Sequence, residues 1–309
     1  MARAHVCPDD YHYSWDRARS PVLEIDDGDT VAFELPEVFG GQLTRDSTVA
    51  DLGTLDMKRV YALAGPVAVS GAEPGDALEV EVLDVRTRGW GWTATFPGFG
   101  LLAEDLPETR LHIWDIPDGD FAHFADVARI PLKPFCGTMG VCPDLEGRHP
   151  VMPPGHFGGN LDFRDLTRGA SLLLPVQIRS ASFSVGDPHA AQGDGEICSS
   201  ALEAPSSATL RFRLHKDRPI PAPQAVVPPS GLQAGVDGGR YVTLGVSGDL
   251  MTAARDAARA MVEHMSRTYG LEVADAYLLA SVVVDLRIAS IVNKPNWVVA
   301  AHLPLGIFA

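Results

Sequence analysis

PGDALEVEVLDV, residues 74–85, sets the reading of the fold. A Pro-Gly turn is followed by Leu78, Val80 and Val82 on one face and Glu79 and Glu81 on the other. Alternation with period two after a turn is the pattern of a strand with one buried face. The same Gly-Asp opening precedes a strand pattern at DGDTVAFE (27–34), and further strands are expected at SLLLPVQIR (171–179), SATLRFRL (207–214) and YVTLGV (241–246). In SATLRFRL, Leu210, Phe212 and Leu214 alternate with Thr209, Arg211 and Arg213.

Helical periodicity enters late. From Leu250 to Tyr269 a stripe of Leu250, Ala254, Ala258, Met261, Val262 and Met265 predicts an amphipathic helix. Ser247 or Asp249 is placed to cap it, and Gly270 to end it. A second helix is expected over about 273–290, and the Pro/Gly-rich stretch 216–239 is expected to be irregular. The fold class that follows is mostly β (α+β), a β-sandwich-like body with a C-terminal helical pair rather than a βαβ repeat. The expected division is a β-rich body over 1–215 carrying the site loops, a loop or linker over 216–240, and an α+β portion over 241–309 packed on the body.

The chain has 309 residues, 46% hydrophobic and 21% charged, with a formal net charge of −15. An acidic balance argues against nucleic acid, whose binding needs a basic face. It suits a neutral or cationic small molecule, and divalent metals. The apolar run YLLASVVV (277–284) is soon broken by Asp285 and Arg287, too short for a membrane span. The first residues show no apolar signal-peptide core. Four cysteines, at 7, 136, 142 and 198, lack both CxxC spacing and the density of a disulfide scaffold, so a reduced, cytoplasmic protein is expected.

One stretch is denser in chemistry than a turn requires. GDPHAAQGDGE (186–196) carries Asp187, His189, Asp194 and Glu196 among small residues. Asp187 and His189 point the same way in an extended chain. Carboxylates are hard oxygen donors, and neutral imidazole suits Zn, Mn, Fe or Ni. Taken alone, the pattern allows either a metal site or a solvated acidic loop. PPGHFGGNLDFRDL (153–166) adds His156, Asn160 and Asp162, which a hairpin-like return over SLLLPVQIR would bring near Asp187 and His189. PLKPFCGTMGVCP (131–143) reads either as a hydrophobic loop crossing or as a source of backbone N–H groups for an oxyanion.

Together with GPVAVSGAEPGDALEVEVLDV (65–85) and DAYLLASVVVDLRIASIVN (275–293), these stretches resemble the acetamidase/formamidase family, in its order and from about residue 12 to the end. The resemblance implies a β-rich homo-oligomer built on dimers, a dimer or tetramer. It also implies hydrolysis of a short-chain amide, of formamide or acetamide type, to carboxylate and ammonia. A divalent metal is implied too, zinc first, with a second ion such as calcium allowed. Carried onto this chain, the ligands are Asp162, Asp187 and His189, and Glu196 and Asp194 are the catalytic carboxylates. Glu196 is favoured as the proton shuttle for its reach and its place at the loop's end. Cys136, Gly137, Asn160 and Gln192 are the expected substrate-binding or supporting residues. Where formamidase-like members often carry His directly before Gly-Gly-Asn, this chain has Phe157, and Met139 between Gly137 and Gly140 is a second departure expected to alter the pocket.

Other amidase chemistries fit less well. No cysteine sits in a nucleophile motif, CSSALE (198–203) has serines without a suitable lysine, and the G-x-S-x-G elbow is absent. A non-catalytic, metal-stabilised oligomer is the competing class. In YHYSWD (11–16) His12 and Asp16 are expected in packing, and Trp90 and Trp92 at a surface, an interface or a substrate gate.

Overall fold

The alternation at 74–85 becomes the strand Ala77–Thr87, with Ala77, Leu78, Val80 and Val82 buried. Its partner Ser206–His215 places Phe212 opposite Val80 and Leu214 opposite Leu78, so the two patterns reinforce one apolar face. The computed structural model describes residues 3–6, 11–116, 120–125, 127–229 and 239–308. Among these, two nine-stranded sheets dominate. The first runs Arg3–Val6, Thr30–Leu35, Ser206–His215, Ala77–Thr87, Ser171–Pro175, Gln224–Val227, Arg240–Ser247, Trp297–Pro304 and Asp285–Ser290. The second has Phe135–Val141 and Phe183–Ala191 at its heart.

The main core lies between these sheets. Val80, Val82, Leu210 and Phe212 from the first meet Met139, Val141, Phe183 and Val185 from the second. This is the expected β-sandwich-like body, and the C-terminal helical pair is present. Met139 belongs to that core and not to the pocket that its position among glycines suggested.

Three local expectations change. Residues 216–239 are not wholly irregular: Gln224–Val227 pairs with Ser171–Pro175 on one side and Arg240–Ser247 on the other. Residues 230–238 of that stretch lie outside the described residues, as does Cys7. The second helix stops at Val283, and Asp285–Ser290 pairs with Trp297–Pro304 instead of continuing it. The β-branched run Val282-Val283-Val284 favours that switch. Finally, the long helix Leu250–Tyr269 buries Ala253 and Ala257 rather than Ala254 and Ala258. Its backbone lies directly on Gly245, where any Cβ would collide with Ala253 and Ala257, so the smallest residues take the contact. The caps are as expected, with Asp249 accepting from Thr252 N at 2.7 Å and Gly270 in the left-handed region. No helix among the described residues is long and apolar enough to cross a membrane.

Candidate active site

Gly137 matters for the side chain it lacks. It sits in the buried strand Phe135–Val141, flanked by Gly158–Asn160 and Phe183–Ala191, with Thr138 opposite both Asn160 and Gly186. A Cβ at 137 would lie 2.5 Å from Asp162 Oδ1, 2.8 Å from Asp187 Oδ2 and 2.9 Å from His189 Cε1. The glycine therefore leaves a hole in the sheet into which three reactive side chains reach. The sequence predicted their meeting over SLLLPVQIR; they meet across Phe135–Val141, which is a central strand and not a loop. The 186–196 stretch is likewise more regular than its composition implied, since strand Phe183–Ala191 runs through it.

Five ionisable side chains, Asp162, Asp187, His189, Glu196 and Glu203, are buried around this hole. Gln192 decides the imidazole's orientation. Its Nε2 donates to Asp162 O at 2.8 Å, so its Oε1, 2.9 Å from His189 Nδ1, accepts the Nδ1 proton. His189 Nε2 then faces Asp187 Oδ1 at 3.2 Å and Glu203 Oε2 at 3.3 Å. Three lone-pair carriers thus converge, and a proton shared among them or a cation satisfies them. Glu203 Oε2 and Asp162 Oδ1 have no hydrogen-bond partner among the described residues. The ligand atoms form two triads that share His189, Asp162–His189–Glu196 and Asp187–His189–Glu203, each within 4.8 Å.

Neighbours hold the acids in place. Thr138 Oγ1 donates to Asn160 Oδ1 at 2.9 Å, Asn160 Nδ2 donates to Met152 O at 3.0 Å, and Asn293 Nδ2 donates to Asp162 Oδ2. The backbone is strained here as well. Asp162, Asp187 and Glu196 have φ of 44°, 56° and 50°, and Tyr61, which lines the same cavity, has 59°. Left-handed non-glycine residues cost about 1–3 kcal/mol each and collect where function fixes them. The cavity above the acids measures about 160 Å³, with Phe39, Leu55, Tyr61, Trp92 and Phe96 in its apolar wall.

Other expected residues lie elsewhere. Asp194 is not in the cluster: its carboxylate is held by Arg287 at 2.8 Å and lies 3.3 Å from Arg164, partly open to solvent. Cys136 is buried in the main core beside the site, its thiol pushed up to about 12 by burial. His12 is a packing residue, bonded to Ser184 Oγ at 2.9 Å, and Trp15 packs on Phe157.

A family model described as the acetamidase/formamidase family matches residues 3–149 and 146–309. The chain belongs to the acetamidase/formamidase family. An acetamidase structure from Bacillus halodurans superposes on it with a TM-score of 0.88 at 30% identity, covering 99% of this chain and 98% of that one. The formamidase of Methylophilus methylotrophus is 26% identical over 96% of this chain and 89% of its own. The acetamidase of Mycolicibacterium smegmatis is 28% identical over 60% of this chain and 61% of its own. Relatives of this acetamidase/formamidase-family chain are thus named as amidohydrolases.

Electrostatics sharpen the site. Burial, reinforced by the charge of Asp187, pushes Asp162 up to about 7, and Glu203 likewise to about 7. Burial, then Asp162, raises Glu196 well above the usual carboxylate range. For His189, burial opposes the charged form, but Glu203 and Asp187 outweigh it and hold the imidazole well above its ordinary value. Burial and then Asp187 and Glu196 raise the Tyr61 phenol. The group is short of positive charge in its interior, and the donor set tests well for a divalent cation. It offers carboxylate oxygens and one imidazole, two oxygens without partners, and a cradle that a single Cβ would fill.

Sequence reasoning missed Glu203. It stands directly opposite His189 in the neighbouring strand Leu202–Glu203, a register that spacing cannot disclose. Its one signal was an acid at the end of CSSALE. Asn293, at the end of the 275–293 stretch, is the residue that orients Asp162. Trp92 is buried and lines the cavity rather than the surface.

Proposed function

We propose that this chain hydrolyses a small, uncharged linear amide of the acetamide class to a carboxylate and ammonia, with a divalent metal held by the buried cluster. The observation that carries this is the convergence of Asp162, Asp187, Glu196 and Glu203 on His189 around the gap left by Gly137. Asp162, Asp187, His189 and Glu203 would hold the ion. Its chemistry there, when bound, is to bring a water's pKa to roughly 7 and to polarise the carbonyl.

The chain's own residues do the rest. Gln192 fixes the imidazole tautomer, leaving Nε2 free to face the cation. Asn293 and Thr138 steady Asp162 and Asp187. Glu196, on the cavity floor beside Asp162 and His189, would be held ionised by a bound cation and so suits the shuttle. It takes the proton of the attacking water as the C–O bond forms, and returns it to the amide nitrogen as the C–N bond breaks. The apolar wall lowers the local dielectric above the acids, which strengthens each of these interactions. A reducing, cytoplasmic setting is proposed on the free thiols of Cys136, Cys142 and Cys198, and a homo-oligomer on the exposed apolar face of Tyr277, Leu278 and Val282.

The test is ammonia release from acetamide and its homologues by protein treated with chelator and then given Zn²⁺, Mn²⁺ or Ca²⁺. Loss on chelation and recovery with one ion is expected. Ion binding without ammonia from any amide would leave the metal as a structural element only.

A further inference from the structure

We infer that the cavity selects amides with branched or cyclic apolar acyl groups of about four or five carbons over formamide and acetamide; this rests on the amide reading above. The argument starts from the wall opposite the acids. Phe39 stacks on Trp92 with ring centroids 4.9 Å apart, and Phe96 meets Phe39 edge-on at 5.8 Å. These rings, with Leu55 and Tyr61, form an apolar cluster separate from the main core, and they face the cavity floor of Asp162, Asp187, Glu196 and Glu203.

The wall is built and held rather than merely left over. The carboxylate of Glu37, itself 1% exposed, accepts from Phe39 N at 2.8 Å, Gly41 N at 2.9 Å and Trp92 Nε1 at 3.3 Å. With Leu43 N at 3.4 Å as a fourth donor, this buried carboxylate fixes the loop that presents Phe39 and the indole it stacks on. Such a network earns its place where side-chain position matters.

Size then decides the acyl group. The cavity is about 160 Å³. An apolar cavity of about 150 Å³ accommodates a benzene-sized molecule. Acetamide would leave most of that volume empty, and unfilled space against aromatic walls forfeits dispersion contacts. A branched acyl chain fills it while its amide reaches the acids. Acidic groups on the floor and aromatic rings on the wall also disfavour anionic or strongly polar acyl substituents.

The experiment is kcat/KM for ammonia release from formamide, acetamide, butyramide and isovaleramide by the metal-loaded protein, and by its Phe39→Ala variant. Calorimetric binding of isovaleramide and acetamide to the unaltered protein runs alongside. A rise of roughly fourfold per added carbon is expected from acetamide to isovaleramide. The isovaleramide-to-formamide ratio should fall at least tenfold in Phe39→Ala. Formamide or acetamide turned over as well as isovaleramide would overturn the inference and leave the amide reading standing. No ammonia from any of the four would overturn the amide reading. Calorimetry then judges the pocket alone: tighter binding of isovaleramide supports it, and equal or absent binding rejects it.

Discussion

Asp187 and Asp194 sit seven positions apart on one stretch, yet they inhabit opposite electrostatic worlds. Asp194 is bracketed by Arg287 and Arg164, and Arg287 also takes Asp165 at 2.7 Å, so this end forms a neutralised network at the surface. Asp187 lies with Asp162, Glu196 and Glu203 in a buried group whose positive partner is the imidazole of His189. Acids gather at both ends. What marks the site is charge left uncompensated in a low-dielectric interior, because such a group is costly unless a proton or cation joins it. Strain points the same way: Asp162, Asp187 and Glu196 have left-handed backbones, and the cradle the acids surround is an absent side chain.

Five substitutions test this contrast. Gly137→Ala is expected to have the largest effect, with metal binding lost and activity down by about a thousandfold or more, since its methyl would occupy the ligands' space. Metal content and ammonia release check it, with circular dichroism to confirm folding. Glu196→Gln should lower kcat by about 10²–10⁴, the usual range for a removed acid–base group, and flatten the pH profile of the rate.

In chelator-treated protein the sign reverses. Glu203 has its folded pKa raised to about 7, so ionising it in the folded state costs stability as pH rises from the ordinary carboxylate range through 7. Glu203→Gln should therefore stabilise the metal-free form at pH 8 by about 1 kcal/mol, seen as a higher urea midpoint, while abolishing the gain that metal gives the unaltered protein. A lower midpoint would mean that the acids are already compensated without an ion.

The neutralised end supplies the smallest effects. Its neighbour His302 is buried, lies 3.9 Å from Asp165, and is held down to about 4 by burial and by Arg287. The unfolded chain takes up a proton first, near 6.5, so this histidine removes stability as pH falls from 6.5 toward 4. His302→Leu should reduce the loss between pH 7 and 5 by roughly 1–2 kcal/mol, read from urea midpoints at the two values. Asp194→Asn should change kcat/KM by less than about threefold, the scale of a partly exposed ion pair. A hundredfold loss there would erase the distinction between the two ends.

The contrast also shows what a linear chain discloses. Alternation made Ala77–Thr87 and Ser206–His215 legible because each strand reports its own buried face. The acids of 186–196 were conspicuous by density, and Asp162 by its glycine-rich setting. Density could not separate Asp194 from Glu196, since the cation that neutralises Asp194 stands 93 residues away at Arg287. Glu203 escaped because only strand register places it against His189. Gly137 stands in the sequence only as an expected substrate-binding or supporting residue, whereas its contribution is the room it leaves. Val273–Val283 and Asp285–Ser290 were merged into one helix because an apolar run has no unique period.

The most direct test of the uncompensated cluster is native mass spectrometry of the protein expressed with zinc available, beside its Gly137→Ala variant. The account predicts at least one divalent ion per chain in the first and none in the second, with both folded. An unaltered protein free of metal, or a variant that carries the same load, would contradict it.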